Sequence, residues 1–170
     1  DQDMWWLSGI FRDVCLVAMP EAHVRDFAVR TVLDKHYKDA ELHAEVKVRN
    51  AGKLPADYEM EMRLLDADGN PVLAEPVSVT FKVKPSDEAA VKIETSVDNP
   101  AKWTAETPSL YTLLLTLKNA KGKVLQVVTN RVGFRSVELK GGNFLVNGVA
   151  IKLKGVNRHE HHPDLGRAVP

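Results

Sequence analysis

Residues 40–48 alternate cleanly. Ala40, Leu42, Ala44, Val46 and Val48 fall on one side, and Glu41, His43, Glu45 and Lys47 on the other. A side-chain period of two marks a strand with one dry face and one wet face. Tyr58 to Leu64 repeats the pattern, with Met60, Met62 and Leu64 set against Glu59, Glu61 and Arg63. Two further alternating sets are Val77, Val79, Phe81, Val83 and Val91, Ile93, Thr95, Val97. Residues 110–117 and 124–129 are strand-like, and a run over 132–139 leads into Gly141-Gly142. His23 to Leu33 alternates imperfectly through Val24, Phe27, Val29 and Val32, and Val72 to Ala74 reads as a short returning strand.

Turn chemistry falls between these runs. Asp68-Gly69 and Asn119-Ala120-Lys121-Gly122 supply residues that tolerate positive φ, and Asn147-Gly148 is the strongest two-residue hairpin signal. Pro55, Pro71, Pro76, Pro85, Pro100 and Pro108 lie mainly between runs, where a missing N–H does least harm. No helical period is sustained. About seven short strands over residues 22 to 136 predict an all-β chain, an immunoglobulin-like antiparallel β-sandwich without a Cys…Trp…Cys pattern. Such a fold by itself assigns no chemistry.

Composition narrows the classes. The 170 residues carry 23 basic and 23 acidic side chains, so the basic imbalance of a typical nucleic-acid binder is missing. Apolar residues make up 44% and charged residues 27%, which argues against an intrinsically disordered chain. No run of about 20 apolar residues provides a membrane-spanning helix. A single cysteine, Cys15, excludes an internal disulfide. Its setting, Val14-Cys15-Leu16-Val17, predicts a small buried hydrophobe. His23, His36 and His43 are expected to be solvent-exposed strand residues.

Three stretches are unlike a generic sandwich. The first runs Asp1-Gln2-Asp3-Met4-Trp5-Trp6-Leu7-Ser8-Gly9-Ile10-Phe11-Arg12-Asp13-Val14. The second is Trp103-Thr104-Ala105-Glu106-Thr107-Pro108-Ser109-Leu110-Tyr111. The third joins Gly133-Phe134-Arg135 to Asn147-Gly148 and then to Gly155-Val156-Asn157-Arg158-His159-Glu160-His161-His162-Pro163. In this order and spacing the chain resembles the large multidomain β-galactosidases of glycoside hydrolase family 2. The resemblance implies a segment excised from something larger. Residues 1–20 would end a sugar-binding jelly-roll domain, 21–137 would form the immunoglobulin-like second domain, and 138–170 would begin a catalytic TIM barrel with a hairpin and first strand.

The family reaction is retaining hydrolysis of a terminal β-D-galactoside by two glutamates, about 5–5.5 Å apart, through an oxocarbenium-like transition state. The resemblance places both glutamates beyond Pro170, so no catalytic residue is expected here and the chain alone is expected to be inactive. Two positions match family residues of the galactose pocket. Asp3 matches an aspartate that helps hold a sodium ion and the sugar's 6-hydroxyl, and a carboxylate is a hard oxygen ligand for the cation that also accepts a bond from a hydroxyl. His159 matches a histidine that contacts the galactosyl ring and favours the transition state. The resemblance further implies Na⁺ and Mg²⁺ in the parent but no cofactor in the fragment. The implied partners are the remaining domains, a β-galactoside and further copies in a homo-oligomer, with neither nucleic acid nor membrane. A stand-alone carbohydrate-binding module, or the same domain of a β-glucuronidase or β-mannosidase, is the alternative.

Plainer roles are expected elsewhere. Trp5, Trp6 and Phe11 would pack a domain junction rather than a sugar. Trp103, with Tyr111 and flanked by Pro100 and Pro108, would anchor a rigid loop, and Arg135 would pair with Glu106. The run His159-Glu160-His161-His162 lacks the His-x-x-x-His spacing of a helical zinc site, and Glu160 is not expected to be a general acid.

Overall fold

The computed structural model describes residues 10, 12–158, 160, 162–166 and 169. The chain divides into two compact units, Met19–Ile151 and the two ends, Asp1–Ala18 with Lys152–Pro170.

The larger unit is the expected immunoglobulin-like sandwich, built from β1 (Ala22–Leu33), β2 (Ala40–Asn50), β3 (Ala56–Leu65), β4 (Val77–Val83), β5 (Asp87–Val97), β6 (Tyr111–Asn119) and β7 (Val124–Val132). One sheet has the order β1-β2-β5 and the other β4-β3-β6-β7, with every pairing antiparallel. The alternation seen in the sequence becomes burial. Leu42, Val46 and Val48 from one sheet and Met60, Met62, Leu64, Leu113, Leu115 and Leu117 from the other are at most 1% exposed. Burying each such side chain contributes roughly 1.5–3 kcal/mol of transfer free energy.

The imperfect pattern of β1 has a structural cause. Its register against β2 slips between Val24 and Asp26, leaving Arg25 as the extra residue of a β-bulge. Parity flips there, so Val24 before the bulge is in the core and Phe27 and Val29 after it, half-buried, pack against that core, while Val32 is 41% exposed. The Val24 amide donates to Gln126 Oε1 on β7 at 2.7 Å, and Arg25 pairs with Glu88.

Three hairpin turns share one design. Asp34, Asp66 and Asn119 each accept two backbone N–H bonds on the side-chain oxygen, from the residues two and four positions on. A residue with positive φ follows three positions after each: Tyr37 (54°), Gly69 (86°) and Gly122 (76°). These amide bonds hold the Asp34 and Asp66 carboxyls below the ordinary carboxylate range, led by Lys38 N–H and Asn70 N–H respectively.

Several expectations change. Val72 to Ala74 is not a strand. One bond from the Val72 amide to the Leu64 carbonyl closes the turn, and the chain between Pro71 and Pro76 then bends until β4 begins. The run 132–139 is two elements, because β7 ends at Val132 and β8 (Val137–Lys140) starts after a crossing at Gly133–Ser136. β8 pairs with β9 (Asn143–Val146), which pairs with β10 (Val149–Ala150). Cys15 is exposed rather than buried. Its neighbours Val14, Leu16 and Val17 are 79%, 103% and 66% exposed, and residues 13–20 form no strand. His36 lies in the β1–β2 turn instead of a strand. His23 and His43 are on strands but half-buried, with His43 between Glu94 (3.1 Å) and Glu41 (3.4 Å).

Glu61 departs furthest from its expected wet face, with a side chain only 9% exposed. Its carboxylate accepts from Arg63 Nε at 2.7 Å and Lys118 Nζ at 2.5 Å, across β3 and β6. The Arg63 and Lys118 bonds hold its pKa below the ordinary range despite burial.

Candidate functional site

Asp3 and His159, the two pocket positions singled out by the sequence, lie outside the described residues, as do Trp5, Trp6, Phe11 and His161. Among the neighbours of His159, Glu160 pairs with Arg158 at 3.6 Å. His162 opens a turn in which its Nδ1 accepts from the Asp164 and Leu165 amides. Among the described residues, no group of three His, Cys, Asp or Glu side chains is placed to hold a metal ion.

The most elaborate polar construction of the larger unit is the corner where the chain leaves the sandwich. Three segments meet there: the β1–β2 turn, the loop between β5 and β6, and the crossing from β7 to the small β8-β9-β10 sheet.

The tyrosine corner comes first. Tyr111, at the start of β6, accepts the Ala101 N–H on its hydroxyl at 2.7 Å, as immunoglobulin-like domains commonly do at this point. Its ring meets Phe134, which is fully buried, edge-on at 5.1 Å. Lys102 then ties the loop to the β1–β2 turn, donating to the Lys38 carbonyl at 2.5 Å and to Asn99 Oδ1 at 2.9 Å.

Trp103 anchors the loop, as expected. Its amide donates to the Phe134 carbonyl at 2.9 Å, and its indole lies against Gly133, where an added Cβ would sit 3.0 Å from Trp103 Cβ. Arg135 stacks over the indole at 4.4 Å instead of pairing with Glu106. That geometry suits a guanidinium, which stacks well on an aromatic face.

Asn147 and Tyr37 complete the corner. Asn147 Oδ1 accepts from the Ser136 N–H at 2.9 Å, and its Nδ2 donates to the Trp103 carbonyl at 3.1 Å. Asn147 and Gly148 have φ of 51° and 77°, the two positive values of the expected tight turn. Tyr37 reaches across from the β1–β2 turn, and its hydroxyl donates to Glu138 Oε1 at 2.7 Å while Ser136 Oγ donates to the same oxygen at 3.1 Å. The Tyr37 bond, then the Ser136 bond, holds the Glu138 carboxyl below the ordinary range, and the same carboxylate raises the Tyr37 phenol. The ring of Tyr37 rests on Gly148, where a Cβ would fall 2.5 Å from Cε2.

Sequence reasoning marked Trp103, Tyr111 and the Asn147-Gly148 turn. It missed Tyr37, Glu138 and Ser136, because a tyrosine gives no signal of a left-handed turn position and the Tyr37–Glu138 bond spans 101 residues. The Ser136 and Tyr37 hydroxyls both bond to the Glu138 carboxylate as structural ties between segments. What it does is fix the path of the chain into the β8-β9-β10 sheet.

The comparisons agree with this architecture. The description Glycosyl hydrolases family 2 matches residues 22–135, and Glycosyl hydrolases family 2, TIM barrel domain, matches residues 137–170. The chain is 44% identical to a β-galactosidase of Priestia megaterium, over 99% of this chain and 16% of that protein. It is also 44% identical to a β-galactosidase of Kluyveromyces lactis, over 100% of this chain and 18% of that protein. The chain thus spans under a fifth of the length of these relatives. Among solved structures, it is similar to a Bacteroides uniformis β-glucuronidase, with a TM-score of 0.78, 25% identity, and coverage of 89% of this chain and 19% of that one. A Bacteroides fragilis protein provisionally assigned as a β-galactosidase gives 0.78 at 26% identity, over 89% of this chain and 23% of that one. With its sandwich matched almost from end to end, the chain belongs to the glycosyl hydrolases of family 2.

Proposed function

We propose that the chain is the second domain, with flanking pieces of the first and third, of a retaining β-galactosidase that removes terminal β-D-galactose. Residues 1–20 end a sugar-binding domain, 21–137 form the sandwich, and 138–170 begin the catalytic barrel. The sandwich is a spacer that holds its neighbours in register, and small misplacements of reacting or binding groups cost rate steeply. The observation that carries this reading is the exit corner. Tyr37, Asn147, Trp103 and Ser136 tie the β8-β9-β10 sheet to the sandwich by side-chain bonds of 2.7–3.1 Å.

In this reading Asp3 and His159 are carried to a galactose pocket completed by other domains. The Asp3 carboxylate accepts from a sugar hydroxyl and is chemically suited to Na⁺. His159 donates to a ring hydroxyl whose bond tightens as the ring distorts. Neither catalytic glutamate belongs to residues 1–170, so this chain alone turns over no glycoside. Mg²⁺ and assembly of several copies belong to the full-length protein. The similarity to a β-glucuronidase structure supports a second reading, the same scaffold role in a β-glucuronidase.

Turnover of nitrophenyl β-galactoside, β-glucuronide and β-mannoside by the full-length protein, with and without Na⁺ and Mg²⁺, separates the two. Galactoside turnover weakened by Asp3→Ala and stimulated by Na⁺ supports the first reading. Preference for the glucuronide selects the second.

A further inference from the structure

Tyr111 starts β6 at the exit corner, and Asn119 ends it at the other end of the sandwich. There an open cleft of about 620 Å³ lies between the ends of the two sheets. That size is ordinary for a small-molecule site. Ala22 on β1, Ala56 on β3, Ala120 in the β6–β7 turn and Leu125 on β7 supply apolar walls. Asn50, which also lines it, is 2% exposed and well matched. Its Oδ1 accepts from the Gly52 amide, and its Nδ2 donates to the Leu54 and Val83 carbonyls. Tyr58 is different. It is 6% exposed, with its ring on Phe81 at 6.0 Å between centroids, yet its hydroxyl makes no hydrogen bond among the described residues. The other buried side chains that carry oxygen or nitrogen, Glu61 and Tyr111, are bonded. The exposed Glu21 carboxylate lines the same cleft and has no ion pair or hydrogen bond among the described residues. Burial first, and then the charge of Glu21, hold the Tyr58 phenol above its ordinary value, so the two groups are neighbours that do not bond.

We propose that this cleft binds a small neutral polyol through a hydroxyl that donates to Glu21 and accepts from Tyr58. The proposal is independent of the glycosidase reading above. A buried polar group without a partner is rare in a native fold and calls for a ligand or a water. The two unpartnered groups select the chemistry. Tyr58 needs an acceptor and Glu21 needs a donor, and a hydroxyl is both at once. An ammonium satisfies Glu21 but has no lone pair to offer Tyr58. A carboxylate or phosphate accepts from Tyr58 but is repelled by Glu21. Asp57 and Lys121, which also line the cleft, carry opposite charges, so they add no net field that would favour an ion. The apolar walls suit the C–H surface of a carbon chain or ring. The volume also exceeds what a single bridging water fills, about 30 Å³.

The test is amide-resolved NMR of the 170-residue chain, whose sandwich closes its own core between Ala22 and Phe134. The probes are sorbitol and methyl β-D-galactoside, an open-chain and a ring polyol, with ethylammonium and acetate as the charged counterparts. Saturable shifts at the Ala22, Ala56 and Ala120 amides are expected with at least one polyol, in the millimolar range. Tyr58→Phe keeps the ring and removes only the hydroxyl, so it should weaken that binding roughly threefold to tenfold, the worth of one hydrogen bond. Glu21→Gln, at an exposed position, should weaken it as well and carries the test if Tyr58→Phe does not fold. Polyol affinity unchanged in the folded variants would overturn the proposal. So would the absence of a saturable shift at these amides with either polyol, which would leave the cleft to water. Tighter binding of ethylammonium or acetate at the same amides would overturn it too, because the site would then be one for an ion.

Discussion

The Tyr37 hydroxyl donates to Glu138 Oε1 at 2.7 Å across 101 residues of sequence, from a left-handed turn position to the first strand of the small sheet. The other two turns of this design have glycine at that position. A tyrosine there carries backbone strain, and what it gains in return is a ring against Gly148 and a bond to the exit of the sandwich.

Tyr37→Phe should therefore lower the thermal midpoint by a few degrees, and it should change the pH dependence as well. Glu138 titrates below its ordinary value in the folded chain, so its contribution is present above the ordinary carboxylate range and is lost as pH falls through the lowered value. The Tyr37 phenol titrates above its ordinary value, so its contribution is present below about 10 and is lost as pH rises through the raised value. Midpoints of wild type and Tyr37→Phe measured from pH 2 to 11 should converge at both ends and differ most near neutrality.

Gly148→Ala should be more damaging than Gly141→Ala. Both positions have positive φ, which costs a non-glycine residue about 1–2 kcal/mol. Only at Gly148 does the new methyl meet the Tyr37 ring, whereas nothing lies within 4 Å at Gly141. Denaturant unfolding of the two variants checks the order, and a Tyr37→Ala background should remove the difference.

Leu115→Ala should cost about 2–5 kcal/mol, because the side chain is 1% exposed between packed strands of both sheets. Val127→Ala, at 51% exposure, should stay within about 0.5 kcal/mol of wild type. Urea titrations measure both.

Glu61→Ala should cost roughly 1–3 kcal/mol, since it leaves the half-buried Lys118 ammonium only the longer contact to Glu59 at 3.8 Å. Wild-type stability should fall in acid as pH drops through the lowered Glu61 value, and that part of the acid limb should be missing in the variant.

The fold class was legible because it rests on local alternation. Residues 40–48 and 58–64 state their faces within a few positions, and Asp68-Gly69 and Asn147-Gly148 state their turns within two. The harder features depend on residues far away in sequence. The Arg25 bulge scrambles the parity of β1, and Glu61 is buried because Lys118 comes from β6. Cys15 was misread because an apolar run is buried only where something packs on it. The candidate pocket residues, Asp3 and His159, were legible only by resemblance, because no local pattern distinguishes a pocket carboxylate or imidazole from an ordinary one.

The most direct measurement is nitrophenyl β-galactoside turnover by the full-length protein, its His159→Ala variant and the 170-residue chain at matched concentrations. The account predicts turnover by the full-length protein, a loss of roughly tenfold to a thousandfold in kcat for His159→Ala, and none by the chain alone. Unchanged turnover in His159→Ala, or hydrolysis by the purified chain, would contradict it.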